Sequence, residues 1–214
     1  MPLFNEEAVI GSVVEGAIAV FPHIVCVDDG SSDDSAARAH AAGAVVLRHP
    51  VNLGQGAALQ TGIDYALAQP DCDYLVTFDA DGQHQVADAA AMVHRLETEP
   101  LDVVLGSRFL DTRTELGWLK RLVLRTAVLF ERAGTGIKLT DAHNGLRAFA
   151  RSGASRIQIH QNRMAHASEI VSEIAKNKLR YAEQPVHVVY NDYSKAKGQS
   201  VWNSINIISD LFLN

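Results

Sequence analysis

Apolar positions recur along this chain in two periods. Short β-branched or aromatic runs, bounded by acidic, asparagine or glycine residues, alternate with longer stretches in which apolar residues return every three or four positions. The short runs predict strands at His23–Val27, Ala44–Leu47, Tyr74–Phe78 and Val103–Leu105. The longer stretches predict helices over Ala8–Val20, Ser35–Ala42, Ala57–Ala68 and Val86–Glu97. Asn5 is placed to cap the first helix, with Glu6 and Glu7 in its favourable first turn. Strand and helix at such regular intervals imply an α/β fold, a parallel sheet wrapped by helices on both faces.

The second half is less regular. Leu116–Ala133 reads as a long helix with Arg121, Arg125 and other basic residues among its apolar positions, and Asp141–Phe149 as a loop entering a strand. A helix is expected over His166–Asn177, then an edge strand in Leu179–Tyr190, where Pro185 is tolerated. Asn191–Ser200 is polar, and Val201–Leu213 is apolar again at helical spacing. This divides the chain into a domain over 1–200 and a C-terminal amphipathic helix over 201–214.

Composition narrows the class. With 214 residues, 47% hydrophobic and 21% charged, the chain has the make-up of a globular domain large enough to bury a full core. A net charge of -6 argues against nucleic acid as a partner. Cys26 and Cys72 have no metal-ligand spacing and read as reduced structural thiols, which fits a cytoplasmic setting. No run of 18 apolar residues occurs, so neither a membrane span nor an export signal is expected.

The chemistry gathers at strand ends. Tyr74-Leu75-Val76-Thr77-Phe78 runs straight into Asp79-Ala80-Asp81-Gly82-Gln83-His84, so an apolar strand ends in two carboxylates one residue apart. The carboxyl edge is where open α/β sheets bind ligands. Two such carboxylates repel unless a cation lies between them, and hard divalent ions bridge carboxylates to phosphates. Asp28 and Asp29 follow an earlier strand, while Arg108, Arg147, Lys195 and Lys197 supply cations from later loops. A nucleoside diphosphate asks for this set: acceptors for base and ribose, a metal and cations for the phosphates. No Gly-x-Gly-x-x-Gly follows the first strand and no lysine-bearing phosphate loop occurs, which weighs against a dinucleotide or a triphosphate.

Six motifs in order carry a family resemblance. They are Pro2-x-Phe4-Asn5-Glu6-Glu7, Val27-Asp28-Asp29-Gly30-Ser31-Ser32-Asp33, Asn52-Leu53-Gly54-x-Gly56-x-Ala58, Asp79-Ala80-Asp81-Gly82-Gln83-His84, Gly106-Ser107-Arg108 and Asp141-x-x-x-Gly145-x-Arg147-x-Phe149. Together, over roughly Pro2 to Ser200, the chain resembles the family 2 inverting glycosyltransferases, and within them the dolichyl-phosphate (polyprenyl-phosphate) mannose and glucose synthase branch. The resemblance implies a GT-A fold, a mostly parallel sheet, a nucleotide-diphosphate sugar and Mg²⁺ or Mn²⁺. It implies that Pro2, Phe4, Glu6, Asp28 and Asp29 face the nucleoside and that Asp79, Ala80, Asp81 and Gln83 face the diphosphate and metal. Asp81, Arg108, Asp141 and Arg147 would then form the catalytic group, Arg121 and Arg125 would meet the acceptor, and Lys195 and Lys197 would close over the diphosphate.

A polyprenyl phosphate is the favoured acceptor. It is already an anion and needs arginines more than a base, whereas a sugar hydroxyl would need one, for which Asp141, His143 and Glu169 are the candidates. A lipid acceptor places the protein on the cytoplasmic face of a membrane, held by its amphipathic helices or by a separate anchoring subunit; the last helix, through Trp202, Ile205, Ile208 and Phe212, is expected first to pack on its own domain, with a homodimer or a membrane surface as the alternatives. Relatives in this family carry an apolar strand before the Pro-x-Phe-Asn-Glu motif, and only Met1 stands there, so the first strand is expected to be missing.

Overall fold

The computed structural model describes residues 1–111, 135–163 and 165–189. Two sheets form within them. The first holds β1 (Pro2–Leu3), β2 (Val25–Asp28) and β3 (Val45–Arg48), all parallel and in that order. The second holds β4 (Tyr74–Thr77), β5 (Val103–Ser107), β6 (Arg147–Ala150) and β7 (Tyr181–Pro185) in the order β4-β6-β5-β7. β5 and β7 are parallel, and β6 runs antiparallel to both β4 and β5. The helices are α1 (Ile10–Ile18), α2 (Ser35–Ala41), α3 (Gln55–Ala68), α4 (Val86–Thr98), α5 (Arg151–Ala154) and α6 (His166–Lys176).

The pleat explains how one sheet serves two cores. Val103, Leu105 and Phe149 point to one face, where they meet Leu59 and Ile63 of α3 and Ile170 and Ile174 of α6. Val104 and Ala148 point to the other, against Ala89, Met92 and Leu96 of α4. All five residues of β5 are buried, as a strand covered on both faces requires. A third cluster joins Leu3 and Cys26 of the first sheet to Ile10, Val14 and Ala17, one helical stripe of α1.

In place of the first strand expected to be missing stands only the two-residue β1: Pro2 and Leu3 pair with Val27 and Asp28, and Met1 O accepts from the Val27 N–H. Pro2 is tolerated because the first residue of a strand has no ladder bond to lose. Asn5 does not cap α1, which begins only at Ile10; its φ of 53° lies in the left-handed region and its Oδ1 accepts the Ser32 N–H at 2.9 Å. The Asn5 motif therefore fastens the end of β1 to the turn after β2. The long helix expected over 116–133, the polar stretch 191–200 and the apolar helix 201–214 lie outside the described residues, and with them Arg121, Arg125, Lys195 and Lys197.

Candidate active site

The carboxyl ends of β1, β2, β4 and β5, together with the start of the reversed β6, bring their loops to one edge. At the β2 end both aspartates are buried and engaged. Asp28 accepts the Ser31 N–H at 3.1 Å and Arg48 Nε at 3.0 Å. Asp29 accepts the N–H groups of Leu53 and Gly54 at 2.9 and 2.7 Å and meets His49 Nδ1 at 2.7 Å. His49 in turn reaches Thr61 Oγ1 at 3.0 Å, so Asp29 ties the Asn52–Gly54 loop to β2. Phe4, at the end of β1, stays 45% exposed, a flat apolar ring beside this acidic turn.

The acidic pair sits at the end of β4. Asp79 Oδ2 meets His84 Nε2 at 2.9 Å and Asp79 Oδ1 accepts Gln55 Nε2 at 3.2 Å. Burial alone would raise the Asp79 pKa, but His84, with Arg147 and His166 beyond it, more than offsets burial and holds the carboxyl below its usual range. Asp81 behaves oppositely: burial, then the neighbouring Asp79 charge, push it up to about 6, with Glu6 adding to the repulsion. Asp81 Oδ1 accepts the Gln83 N–H at 3.0 Å, and Ala80 between the two is buried in the α1 core. Gln83 Nε2 and His84 Nδ1 are buried without a hydrogen-bond partner among the described residues.

Two arginines lie behind the pair in different states. Arg108 forms a fork on Asp141, Nε at 2.6 Å and Nη2 at 2.7 Å, so two expected catalytic residues are bonded to each other. Arg147 is 1% exposed, and neither Nη1 nor Nη2 has a hydrogen-bond partner among the described residues. Burial pulls its guanidinium down to about 10, against the opposing pull of Asp79 and Asp141. Gly145 makes this packing fit: a Cβ there would run into the Asp79 carboxylate.

The candidate bases differ in state. Asp141 is held below its usual range because Arg108, with its charge and hydrogen bonds, outweighs burial. Burial pulls His143 down to about 4, leaving a neutral, weakly basic imidazole. Glu169 Oε2 accepts the N–H groups of His160 and Gln161 at 2.9 and 2.8 Å.

The residues fit a hard divalent cation. Two oxygen-donor carboxylates lie one residue apart, one of them with its ionisation opposed by the other. Among the described residues no group of three or more His, Cys, Asp or Glu could hold a metal ion by itself. That suits Mg²⁺ or Mn²⁺ shared with substrate phosphates better than an all-protein cage. Gln55, His49 and His166 joined the site without having been singled out in the sequence. Gln55 carries a readable signal, its position inside Asn-Leu-Gly-Gln-Gly; the two histidines carry none.

An open α/β sheet with paired carboxylates and buried cations at one edge defines a nucleotide-sugar transferase-like site. Residues 1–157 match the family described as Glycosyl transferase family 2, and the chain belongs to that family. It is 33% identical to an uncharacterized protein of Methanocaldococcus jannaschii, covering 100% of this chain and 89% of the relative. It is 28% identical to the UDP-N-acetylglucosamine–dolichyl-phosphate N-acetylglucosaminyltransferase of Methanococcus voltae, covering 100% and 93%. It is 30% identical to the polyprenol monophosphomannose synthase of Mycolicibacterium smegmatis, covering 74% and 63%. The fold is similar to that of glucosyl-3-phosphoglycerate synthase from Mycobacterium tuberculosis, solved with Mn²⁺, uridine diphosphate and phosphoglyceric acid. That likeness has a TM-score of 0.71 at 21% identity, over 98% of this chain and 75% of the other.

Proposed function

We propose that the protein transfers a sugar, with inversion, from a nucleotide-diphosphate sugar to the phosphate of a polyprenyl lipid. The observation that carries this reading is the buried guanidinium of Arg147 beside Asp79, whose Nη1 and Nη2 have no hydrogen-bond partner among the described residues. A buried cation without hydrogen bonds is costly, and an anion arriving from outside is what relieves it. The state of Asp141 and His143 supports an acceptor that brings its own negative charge, since Arg108 holds the first below its usual range and burial leaves the second weakly basic. Relatives named as dolichyl-phosphate and polyprenol-phosphate transferases point the same way.

Asp79 and Asp81 would hold Mg²⁺ or Mn²⁺, with Gln83 beside them. When bound, the cation neutralises the diphosphate as charge builds on the leaving oxygen. Phe4 supplies an apolar face for the base, and Asp28 and Asp29 shape the pocket wall through Ser31 and the Asn52–Gly54 loop. Arg147 orients the acceptor phosphate, and the Arg108–Asp141 fork fixes the loop that leads into β6 and Arg147. Arg121 and Arg125 on the acceptor side, Lys195 and Lys197 over the diphosphate, and the helix 201–214 complete the proposal. Among the described residues no helix is long and apolar enough to cross a membrane. The proposed setting is peripheral, on the cytoplasmic membrane face, with a separate anchoring subunit or a homodimer as candidate partners.

The test is release of nucleoside diphosphate from GDP- and UDP-sugars with Mn²⁺, with and without a short polyprenyl phosphate, in the parent and in Asp81→Ala. Release that needs both the lipid phosphate and Asp81 supports the reading. Release driven equally by a soluble saccharide would overturn the choice of acceptor while keeping the donor.

A further inference from the structure

One buried imidazole of the site has no task in the transfer as proposed. His166 opens α6 and is 4% exposed. Its Nδ1 lies 2.7 Å from Arg163 O, and a carbonyl oxygen only accepts, so the ring proton sits on Nδ1 and Nε2 is the bare nitrogen. Nε2 makes no hydrogen bond among the described residues. Burial, then the Arg147 charge, pull the pKa down to about 4. Near pH 7 the ring is therefore neutral, and Nε2 is an acceptor too weak to serve as a base.

Two separate sets of contacts place this ring beside the acidic pair. Ile170 follows His166 by one helical turn, so the two share a face of α6, and Ile170 packs in the same cluster as Leu105. Leu105 pairs directly with Arg147 across β5 and β6, which puts both side chains on that face of the sheet. From the other side, a Cβ at Gly56 would meet His166 Cβ at 3.0 Å, while the adjacent Gln55 donates to Asp79 Oδ1 at 3.2 Å. The Gly56 N–H donates to Asn162 O at 2.8 Å, which fastens the loop before α6 to the start of α3. The imidazole accordingly senses the charges of both Arg147 and Asp79.

The neighbours decide what a bare nitrogen can meet there. Ionised phosphate oxygens only accept hydrogen bonds, so neither a diphosphate nor a lipid phosphate is drawn to Nε2. The nucleoside belongs with Phe4 and Asp28 on the first sheet. The sugar is joined to the phosphate that a cation at Asp79 would hold, so it is the part of the donor that lies next to Asp79, and its hydroxyls are hydrogen-bond donors. A buried acceptor without a donor is unsatisfied, and a sugar hydroxyl satisfies it.

We infer that His166 Nε2 accepts a hydrogen bond from one hydroxyl of the transferred sugar and selects donors that carry a hydrogen-bond donor at that carbon, an inference that rests on the nucleotide-sugar reading above. The selection is set by what the ring cannot do. With its proton committed to Arg163 O, it has no N–H to offer a carbonyl, an ether oxygen or fluorine at that position. A site built around a buried hydrogen-bonding group rejects an analogue that lacks the matching group more strongly than an apolar wall rejects a change of size.

The experiment titrates UDP-glucose, UDP-N-acetylglucosamine and GDP-mannose, each beside its bare nucleoside diphosphate, into the parent, His166→Phe and His166→Gln with Mn²⁺ in a calorimeter. The sugar that binds best to the parent should bind about 10-fold more weakly to His166→Phe, while the bare nucleotide changes by less than about twofold. His166→Gln, which keeps an acceptor oxygen, should recover most of the loss. Among the deoxyfluoro forms of that sugar, one should lose about 10-fold on the parent and nothing further on His166→Phe, because both changes remove the same bond. In ¹⁵N spectra, the imidazole signal missing from His166→Phe should move on adding the sugar nucleotide and stay in place on adding the bare one. Equal losses for the sugar nucleotide and the bare nucleotide would make His166 structural and overturn the inference. So would a loss of Mn²⁺ affinity without nucleotide, since Nε2 would then be a metal ligand. No preference for any of the sugars over its bare nucleotide would overturn the donor reading as well. Transfer to a soluble saccharide would overturn the choice of acceptor alone and leave these binding ratios as they are.

Discussion

Arg147 places two guanidinium nitrogens in the interior without a hydrogen bond among the described residues, and such a group weakens a fold rather than supporting it. Replacing it with an apolar side chain of similar length separates stability from function. Arg147→Met is expected to keep or raise stability, by up to about 2 kcal/mol in a urea titration, because hydrophobic replacement of buried charge is often stabilising. The same change should cut turnover by about 100-fold or more, as loss of a preorganised charge contact does. A large loss of stability would mean that Arg147 is a structural ion pair. Gly145→Ala tests the neighbouring contact: the added methyl displaces the Asp79 carboxylate, and turnover should fall by about 100-fold while far-ultraviolet circular dichroism stays unchanged. At this scale the sequence revealed residue types and their place at strand ends. Asp79 and Asp81 were legible because they adjoin one strand. The Gln55 contact with Asp79 spans 24 residues and has no local signal, and the same holds for the bonds of Asp29 to Leu53, Gly54 and His49.

Elements were read well wherever local periodicity decides them. α1 to α4 and α6 begin within about two residues of the predicted ranges, within the usual uncertainty of helix ends. Two features escaped because they are not local. The reversal of β6 depends on where its chain returns, and Thr77 Oγ1 donating to Gly145 O at 2.7 Å is a contact across 68 residues. The four-residue α5 is too short to show a period. Where α5 and β7 meet β5, Asp102 accepts Arg180 N, Nε and Nη2 at 2.8, 3.0 and 2.9 Å. These hydrogen bonds pull the Asp102 carboxyl down to about 2. Its folded pKa lies below the unfolded value of about 3.9, so the stabilisation is fully present above that value and disappears as pH falls toward 2. Asp102→Asn should therefore lower the urea midpoint at pH 7, and the gap from the parent should close between about pH 4 and pH 2. A gap that stays constant down to pH 2 would assign the loss to packing against Gly153 instead.

The whole molecule divides its site between two sheets. Phe4, Asp28 and Asp29 stand at the end of the first, and Asp79, Asp81 and Arg147 at the edge of the second. Composition and motif order anticipated that convergence, but a two-residue β1 is invisible to periodicity, and its pairing to β2 rests on contacts of Met1 with Val25 and Val27 and of Leu3 with Asp29. A ligand that touches both sheets binds the folded chain and not the unfolded one, so it raises stability by mass action. Nucleoside diphosphate with Mn²⁺ at about 100 times its Kd should add about 2.7 kcal/mol. For a chain of this length that corresponds to a Tm rise of about 5 to 10 °C. The metal-dependent part should vanish in Asp81→Ala, while the part due to contacts of the base near Phe4 remains. A rise of equal size in both proteins would place the nucleotide on the first sheet alone and remove the acidic pair from its binding.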